Sequence, residues 1–496
     1  CVATAMAQLM MYYKYPQTLK SDIPAYQTKS YQLDMPSVSA GERYDWDNML
    51  PQYSGSAYTA EQANAVAKLM YHCGLSFEAD YGPSSTSAWC RPNVLVKYWG
   101  YDPDVIRPLY RENFSLREWT AILDAELQAL RPVYYRGCST TSGSHAFLCD
   151  GADCNGLYHI NWGWSGWSNG YFDITVLNSD YSGAESTTAP ADGFNYTCSM
   201  IVGIMPDNGV ADAPLIVTPL LTADKNEWVG CDLLTTERAD ANWSFRLSIA
   251  AEFANYERTA FDGYAGVGLK DESGIYLPLS TSKIYLGGMG ENGSYYSEPL
   301  RFKINYSFPE GRTRIYQIYS TDGNTWQQCG NSDKLFYEFD ATDTTLRMVE
   351  DTLAASLASV DEFVEGCDAS FNLTASTTAC REQMVMLYVY GSQTPDKPSE
   401  CAHPLYVNIP AKGHVTRRFA LRPPSAGDLY VWVCDEDGRE LVSAQKFEVA
   451  ESQTPILTLA SKHVNTTAGD LETENAYLWG YRTAPEYPLL LQVCRT

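Results

Sequence analysis

The sequence predicts an α+β domain followed by an all-β region, and three observations carry that reading. A chain of 496 residues exceeds what one hydrophobic core organises, so several domains are expected. Residues 1 to about 208 place helical periodicity ahead of strands, the order of an α+β domain. From about residue 212 onward, apolar and polar positions alternate in short runs punctuated by Gly, Pro, Asn and Asp, at the spacing of β-sandwich strands.

The opening segment CVATAMAQLMMYYKYP sets Val2, Met6, Leu9, Met10 and Tyr13 on one helical face and stops at Tyr15-Pro16. A second helix is expected in TAEQANAVAKLMYHCG, with Gly74 just past its C-terminal end. A third, SLREWTAILDAELQALRP, opens on a capping box from Ser115 to Glu118 and closes before Pro132. Strands follow at Val133-Tyr134-Tyr135 and HAFLCDGAD, then a turn through Asn155-Gly156, LYHINWGW, a turn at Ser168-Asn169-Gly170, and YFDITVL. Runs such as WSFRLSIAAEF, RFKINYSF and DLYVWVCDEDG make up the β-region. The expected boundaries are an α+β domain at 1–208, immunoglobulin-like β-sandwiches at 212–347 and 348–452, and a partial β module or sorting segment at 453–496.

Composition narrows the function. Hydrophobic content of 45% and charged content of 19% describe a folded chain. Sixty acidic against 35 basic residues give a net charge of −25, which repels phosphate backbones and anionic lipid. Nucleic acid is therefore not an expected partner. No apolar run approaches the ~18–20 residues of a membrane span. Fourteen cysteines are too sparse for a disulfide scaffold, and the Cys/His spacing is not that of a zinc finger, so no metal is expected. Pairing of Cys149 with Cys154 or of Cys367 with Cys380 stays open.

The chemistry starts at Cys1, in the first turn of an amphipathic helix. Unpaired N–H groups and the positive end of the helix dipole favour the thiolate there. A thiolate needs a base, and six histidines are available. His72 falls in the last turn of a helix, where a favourable interaction with the dipole accounts for it. His159 reads as a sheet residue. His145 differs: it follows a Gly/Ser stretch that includes Gly143 and Ser144, which lets a backbone or substrate approach closely, and it begins an apolar strand. Asn161 lies on the next strand. A hairpin centred near Asp153, with a loose turn or bulge, sets Asn161 directly opposite His145, within reach of its imidazole. An Asn so placed fixes the tautomer of the histidine, the role of the third member of a Cys-His-Asn triad. Trp162 and Trp164 follow and are expected to screen that bond from water.

The segments CVATAMAQ, DYGPSSTSA, RPVYYRG, GSHAFLCDGAD and HINWGWSGWSNGYF, in this order, resemble the streptopain-type cysteine peptidases of bacteria, peptidase family C10. The resemblance covers the chain from Cys1 to about Met205, some two-fifths of it, and does not include the β-region. It implies a papain-like fold for 1–208, with Cys1 as nucleophile, His145 as general acid/base, Asn161 orienting that histidine and Trp162 shielding the pair. It also implies a substrate cleft near Tyr81, Gly82, Pro83, Ser84 and Ser85, with Gly143 and Ser144 beside it. No cofactor is implied. The partners are protein or peptide substrates and a propeptide, and the location is extracellular or at the cell surface. In the family an upstream glutamine completes the oxyanion hole. A chain starting at Cys1 lacks that residue, so the sequence reads as a fragment whose isolated activity is weak.

Two other readings compete. A true N-terminal nucleophile would use the α-amine of Cys1 as base, but that class starts a strand and Cys1 starts a helix. A protease-like adhesin would work through its β-sandwiches, for which the Tyr-rich run YYSEPLRFKINYSF offers a binding face. Competent chemistry at all three triad positions argues against it.

Overall fold

The structure, a computed structural model, describes residues 1–53, 57–83, 85–211, 221–222, 229–288, 297–330 and 336–452. The expected segment 453–496 and the cleft residue Ser84 lie outside them.

The first helix, α1, spans Val2–Tyr13 and buries Val2, Ala5, Met6, Leu9 and Met10. Lys14 closes it in the left-handed conformation. Helix α2 runs Ala60–Ser76 behind a capping box of Thr59 and Gln62, so Gly74 sits inside the helix instead of ending it. Tertiary packing explains the difference. A Cβ on Gly74 would lie 1.9 Å from the hydroxyl of Tyr81, so the glycine makes room for that ring. Helix α3, Pro92–Trp99, was not anticipated; it starts on proline and closes at Gly100 in the left-handed region. Helix α4, Leu116–Gln128, has the expected capping box of Ser115 and Glu118.

One antiparallel sheet carries the second half of this domain. Its strands are β1 (Arg107–Tyr110), β2 (Val133–Ser139), β3 (Gly143–Ala152), β4 (Tyr158–Asn161), β5 (Gly170–Phe172) and β6 (Tyr196–Val202). The spatial order is β1-β6-β2-β3-β4-β5. The YFDITVL strand is shorter than expected. Asp173 ends it by accepting the N–H and hydroxyl of Thr175, a local turn that competes with the ladder. Alternate residues of β2 and β3 feed two cores. Tyr134, Ala146 and Leu148 join Met6, Leu9 and Leu95 on one face. Tyr135, Phe147 and Cys149 join Trp119, Leu123 and Trp162 on the other.

The remaining described residues are almost entirely strands, as the sequence predicts. Between 229 and 348, a three-stranded sheet (Gly230–Leu233, Phe245–Ala251, Leu300–Tyr306) and a larger one built on Phe261–Lys270 and Gly311–Ser320 share a core of Phe245, Ile249, Phe302 and Phe339. Residues 353–450 form a three-stranded and a five-stranded sheet, with Phe371 stacked on Phe419 at 5.0 Å.

The chain divides into two compact units, one of 1–352 with 377–384 and 408–413, the other of 353–376, 385–407 and 414 onward. The α+β domain and the first β-rich stretch therefore share a unit. Within it, the buried Arg107 guanidinium on β1 grips Glu257 through two N–H donors at 2.7 and 3.1 Å. Tyr110 packs on Tyr256 nearby, with ring centroids 5.4 Å apart. Every described cysteine is a free thiol, including Cys149, Cys154, Cys367 and Cys380, so neither open pairing forms. Among the described residues no helix is long and apolar enough to cross a membrane.

Candidate active site

Cys1 is the exposed N-cap residue of α1, and its carbonyl accepts the first helical hydrogen bond from Ala5 at 2.9 Å. Its side chain makes no capping bond, which leaves the first-turn N–H groups free to stabilise negative charge. Helix geometry stacks positions 1, 4 and 8 along one stripe. Two of these touch the end of β4 and the residues just after it. Thr4 lies 3.2 Å from where a Cβ on Gly163 would sit, and Gln8 Nε2 donates to Asn161 Oδ1 at 3.2 Å. The stripe that begins at Cys1 therefore faces the 161–163 segment.

His145 lies near the start of β3, which packs on α1. Its Nε2 is 2.7 Å from the backbone carbonyl of Trp162. A carbonyl only accepts, so Nε2 carries the hydrogen and, in the neutral ring, Nδ1 presents its lone pair. Burial lowers the pKa of His145 first, and the Trp162 carbonyl raises it in part. The backbone nitrogen of Cys1 lies within electrostatic reach of the His145 ring, which marks the two residues as neighbours.

Asn161 is not opposite His145. Leu148 occupies that place, because a bulge between Cys149 and Gly151 and a tight turn at Asp153–Leu157 move the centre of the hairpin. Extending the register three residues past Asn161 brings Trp164 level with His145. Its ring stacks on the imidazole at 4.8 Å, against 6.3 Å for Trp162. Asn161 Oδ1 instead accepts from Gly163 N–H at 3.1 Å and from Gln8. The group bound to the imidazole is thus a main-chain carbonyl, and the Asn side chain holds the neighbouring N–H. Trp162 itself is fully buried, its backbone N–H donating to Asn169 Oδ1 at 3.0 Å.

Gly137, the cross-strand partner of His145, has no space for a side chain. The carbonyl of Phe194 fills it, 1.8 Å from where a Cβ would be, and the Phe194 ring reaches to 5.4 Å from His145. The other two histidines of the domain have partners of their own. His159 binds Asp150 at 2.5 Å, and His72 binds the Tyr44 hydroxyl at 3.1 Å. His72 lies a turn before the end of α2, so that buried bond replaces the expected role at a helix terminus.

Tyr81 and its neighbours form a small hairpin, Asp80–Tyr81 against Thr86–Ser87. Tyr81 covers Gly74, and Gly82 lies against the Tyr31 ring. Among the described residues, no hydrogen bond or ring contact joins Tyr81, Gly82, Pro83 or Ser85 to Cys1 or His145. Gly143, at φ +76, and the exposed Ser144 open β3 immediately before His145. Gln8, Asn169 and Phe194 are site neighbours that the sequence reading does not single out, and Trp164, expected only as a screen, stacks directly on the imidazole. Gln8 was within reach of sequence reasoning, since it repeats on the stripe of Cys1 and Thr4. Among the described residues, no three His, Cys, Asp or Glu side chains gather as a metal site requires.

Residues 1–172 match the model of the peptidase C10 family. Streptopain of Streptococcus pyogenes is 39% identical over 216 residues, which cover 42% of this chain and 52% of the relative. The chain thus spans about half the length of that relative. The thiol protease/hemagglutinin PrtT of Porphyromonas gingivalis is 29% identical over 334 residues, 65% of this chain and 35% of that protein. That match is longer than the α+β domain, so, unlike the resemblance in the sequence motifs, it takes in part of the β-region. Among solved structures, the active interpain A cysteine protease of Prevotella intermedia is 33% identical, over 41% of this chain and 82% of that one, at a TM-score of 0.37.

Proposed function

Through residues 1–172 the chain belongs to the peptidase C10 family, and we propose that it is a secreted bacterial cysteine endopeptidase acting through Cys1 and His145. The observation that carries the reading is the bond from His145 Nε2–H to the Trp162 carbonyl. It leaves Nδ1 as the nitrogen able to take the proton of Cys1.

In this mechanism the Cys1 thiol gives its proton to His145 Nδ1, and the thiolate attacks the carbonyl carbon of the scissile peptide bond. The tetrahedral intermediate collapses to a thioester as the imidazolium protonates the leaving amine. His145 then deprotonates a water, which attacks the thioester and restores the thiol. The N–H groups at the start of α1 favour the negative charge on sulfur, and the rings of Trp164, Phe147 and Phe194 keep water from the imidazole. Asn161 acts on the Trp162 carbonyl, not on the ring. Proteins or peptides are the substrates, and the cleft is bordered by Gly143 and Ser144, with the 80–87 hairpin as its more distant wall. The β-region forms immunoglobulin-like modules at 212–347 and 348–452, carried outside the cell with the enzyme.

Casein cleavage by protein expressed from its full reading frame tests this. Activity that needs a reductant, stops with a thiol alkylator and disappears in Cys1→Ser supports the reading. Cleavage that survives Cys1→Ser contradicts it.

The longer match to a thiol protease/hemagglutinin favours a second activity, cell binding by the β-region. Agglutination of erythrocytes by the Cys1→Ser protein would support it. Its absence would leave the β-region without an adhesive role.

A further inference from the structure

The peptide unit between Trp162 and Gly163 presents its carbonyl to His145 Nε2–H and its N–H to Asn161 Oδ1. These two groups belong to one rigid plane, so whatever fixes the N–H aims the carbonyl. Asn161 Oδ1 is in turn held by Gln8 Nε2 from the helix that starts at Cys1. The other end of the Gln8 amide, Oε1, is buried without a hydrogen-bond partner among the described residues. An unsatisfied buried carbonyl is costly, and a nonpolar side chain of the same shape would avoid that cost. The bond to Asn161 is what the amide contributes in exchange.

We propose that Gln8 is a positioning residue that ties the helix of the nucleophile to the Trp162–Gly163 peptide through Asn161, and so sets the orientation of the base relative to Cys1. The proposal rests on the peptidase reading. Gln8 touches neither substrate nor reacting atoms; it acts through Asn161.

The test is Gln8→Met, which keeps the length and removes both the donor and the unsatisfied carbonyl, so folding is preserved. The expected result is a loss in kcat on the order of tenfold to a hundredfold, with KM changed by less than about threefold. Combined with Asn161→Ala, the loss should be no greater than that of the larger single variant, because both break one chain of contacts. Unchanged kcat, or losses that multiply, would overturn the proposal.

A second readout does not need catalysis. His145 faces the uncharged rings of Phe147, Phe194, Trp162 and Trp164, with Cys1 beside it. In the Cys1→Ser protein, NMR titration of His145 should show a lower pKa once Gln8→Met loosens the Trp162 carbonyl, whose bond raises that value. If the wild-type protein cleaves nothing, the peptidase reading fails, and this titration still decides the positioning role. An unmoved titration would overturn it.

Discussion

Two half-buried histidines, one in each compact unit, share almost every local property. His145 lies near the start of strand β3, and His403 opens the strand His403–Ile409. Burial lowers the pKa of both, and a backbone hydrogen bond, to Trp162 or to Ala420, raises each in part. Both pack near phenylalanine rings, Phe194 at 5.4 Å in one case and Phe419 at 6.1 Å in the other. What separates them is the company they keep. His145 stands beside a cysteine at a helix N-terminus. The cysteine closest to His403 in sequence, Cys401, donates its thiol to the Val389 carbonyl at 3.3 Å, and burial raises its pKa. A shifted histidine is thus not a site by itself; a nucleophile able to use it makes the difference.

The largest expected effect separates the two residues directly. His145→Ala should lower kcat/KM for casein on the order of 10⁴-fold, as loss of a general base does, while His403→Ala should leave it within about twofold. Equal effects would break the comparison. Next in size, Asn161→Ala should cost about a hundredfold in kcat through the freed Gly163 N–H. A similar loss in KM alone would instead assign Asn161 to substrate binding.

Acidity gives a smaller effect with a definite sign. Because both folded pKa values are lowered, an unfolded histidine, at about 6.5, takes up its proton first as pH falls. Stability contributed by the neutral ring is complete above that value and is lost as pH drops through the lower folded one. Thermal melts below pH 6.5 should therefore show His403→Leu less acid-sensitive than wild type, whereas a parallel decline would remove His403 as a contributor. For His145 the same shift keeps the base neutral, so the acid limb of cleavage should fall below about pH 6.5. The smallest effect is expected from Trp162→Phe. The indole Nε1 has no hydrogen-bond partner among the described residues and the catalytic contact is the carbonyl, so kcat should change by less than about tenfold while stability falls by ~1–3 kcal/mol for the lost volume.

Much of the α+β domain was legible because its signals are local. The buried stripe of α1 and the Ser115–Glu118 capping box depend on neighbours a turn apart, and both stand in the structure as read. Gly74 misled because its reason is Tyr81, a residue beyond the helix. The site was legible in its residue types but not in its wiring. Cys1, His145, Asn161 and Trp162 could be picked out, yet the bulge at Cys149–Gly151 shifts the register, so Asn161 meets a backbone N–H and Trp164 meets the imidazole. A bulge leaves no mark in hydrophobic alternation. In the β-region the alternation gave strands, but sheet partners are set by contacts distant in sequence.

The central claim, that His145 activates Cys1, is tested most directly by the rate of alkylation of individual cysteines with iodoacetamide at about pH 6, read by peptide mass spectrometry. Cys1, Cys154 and Cys367 are all exposed, so the last two serve as internal controls of similar access. The account predicts that Cys1 reacts on the order of a hundredfold faster than either, and that His145→Ala removes the advantage. Three equal rates in the folded wild-type protein, or an advantage that survives His145→Ala, would contradict it.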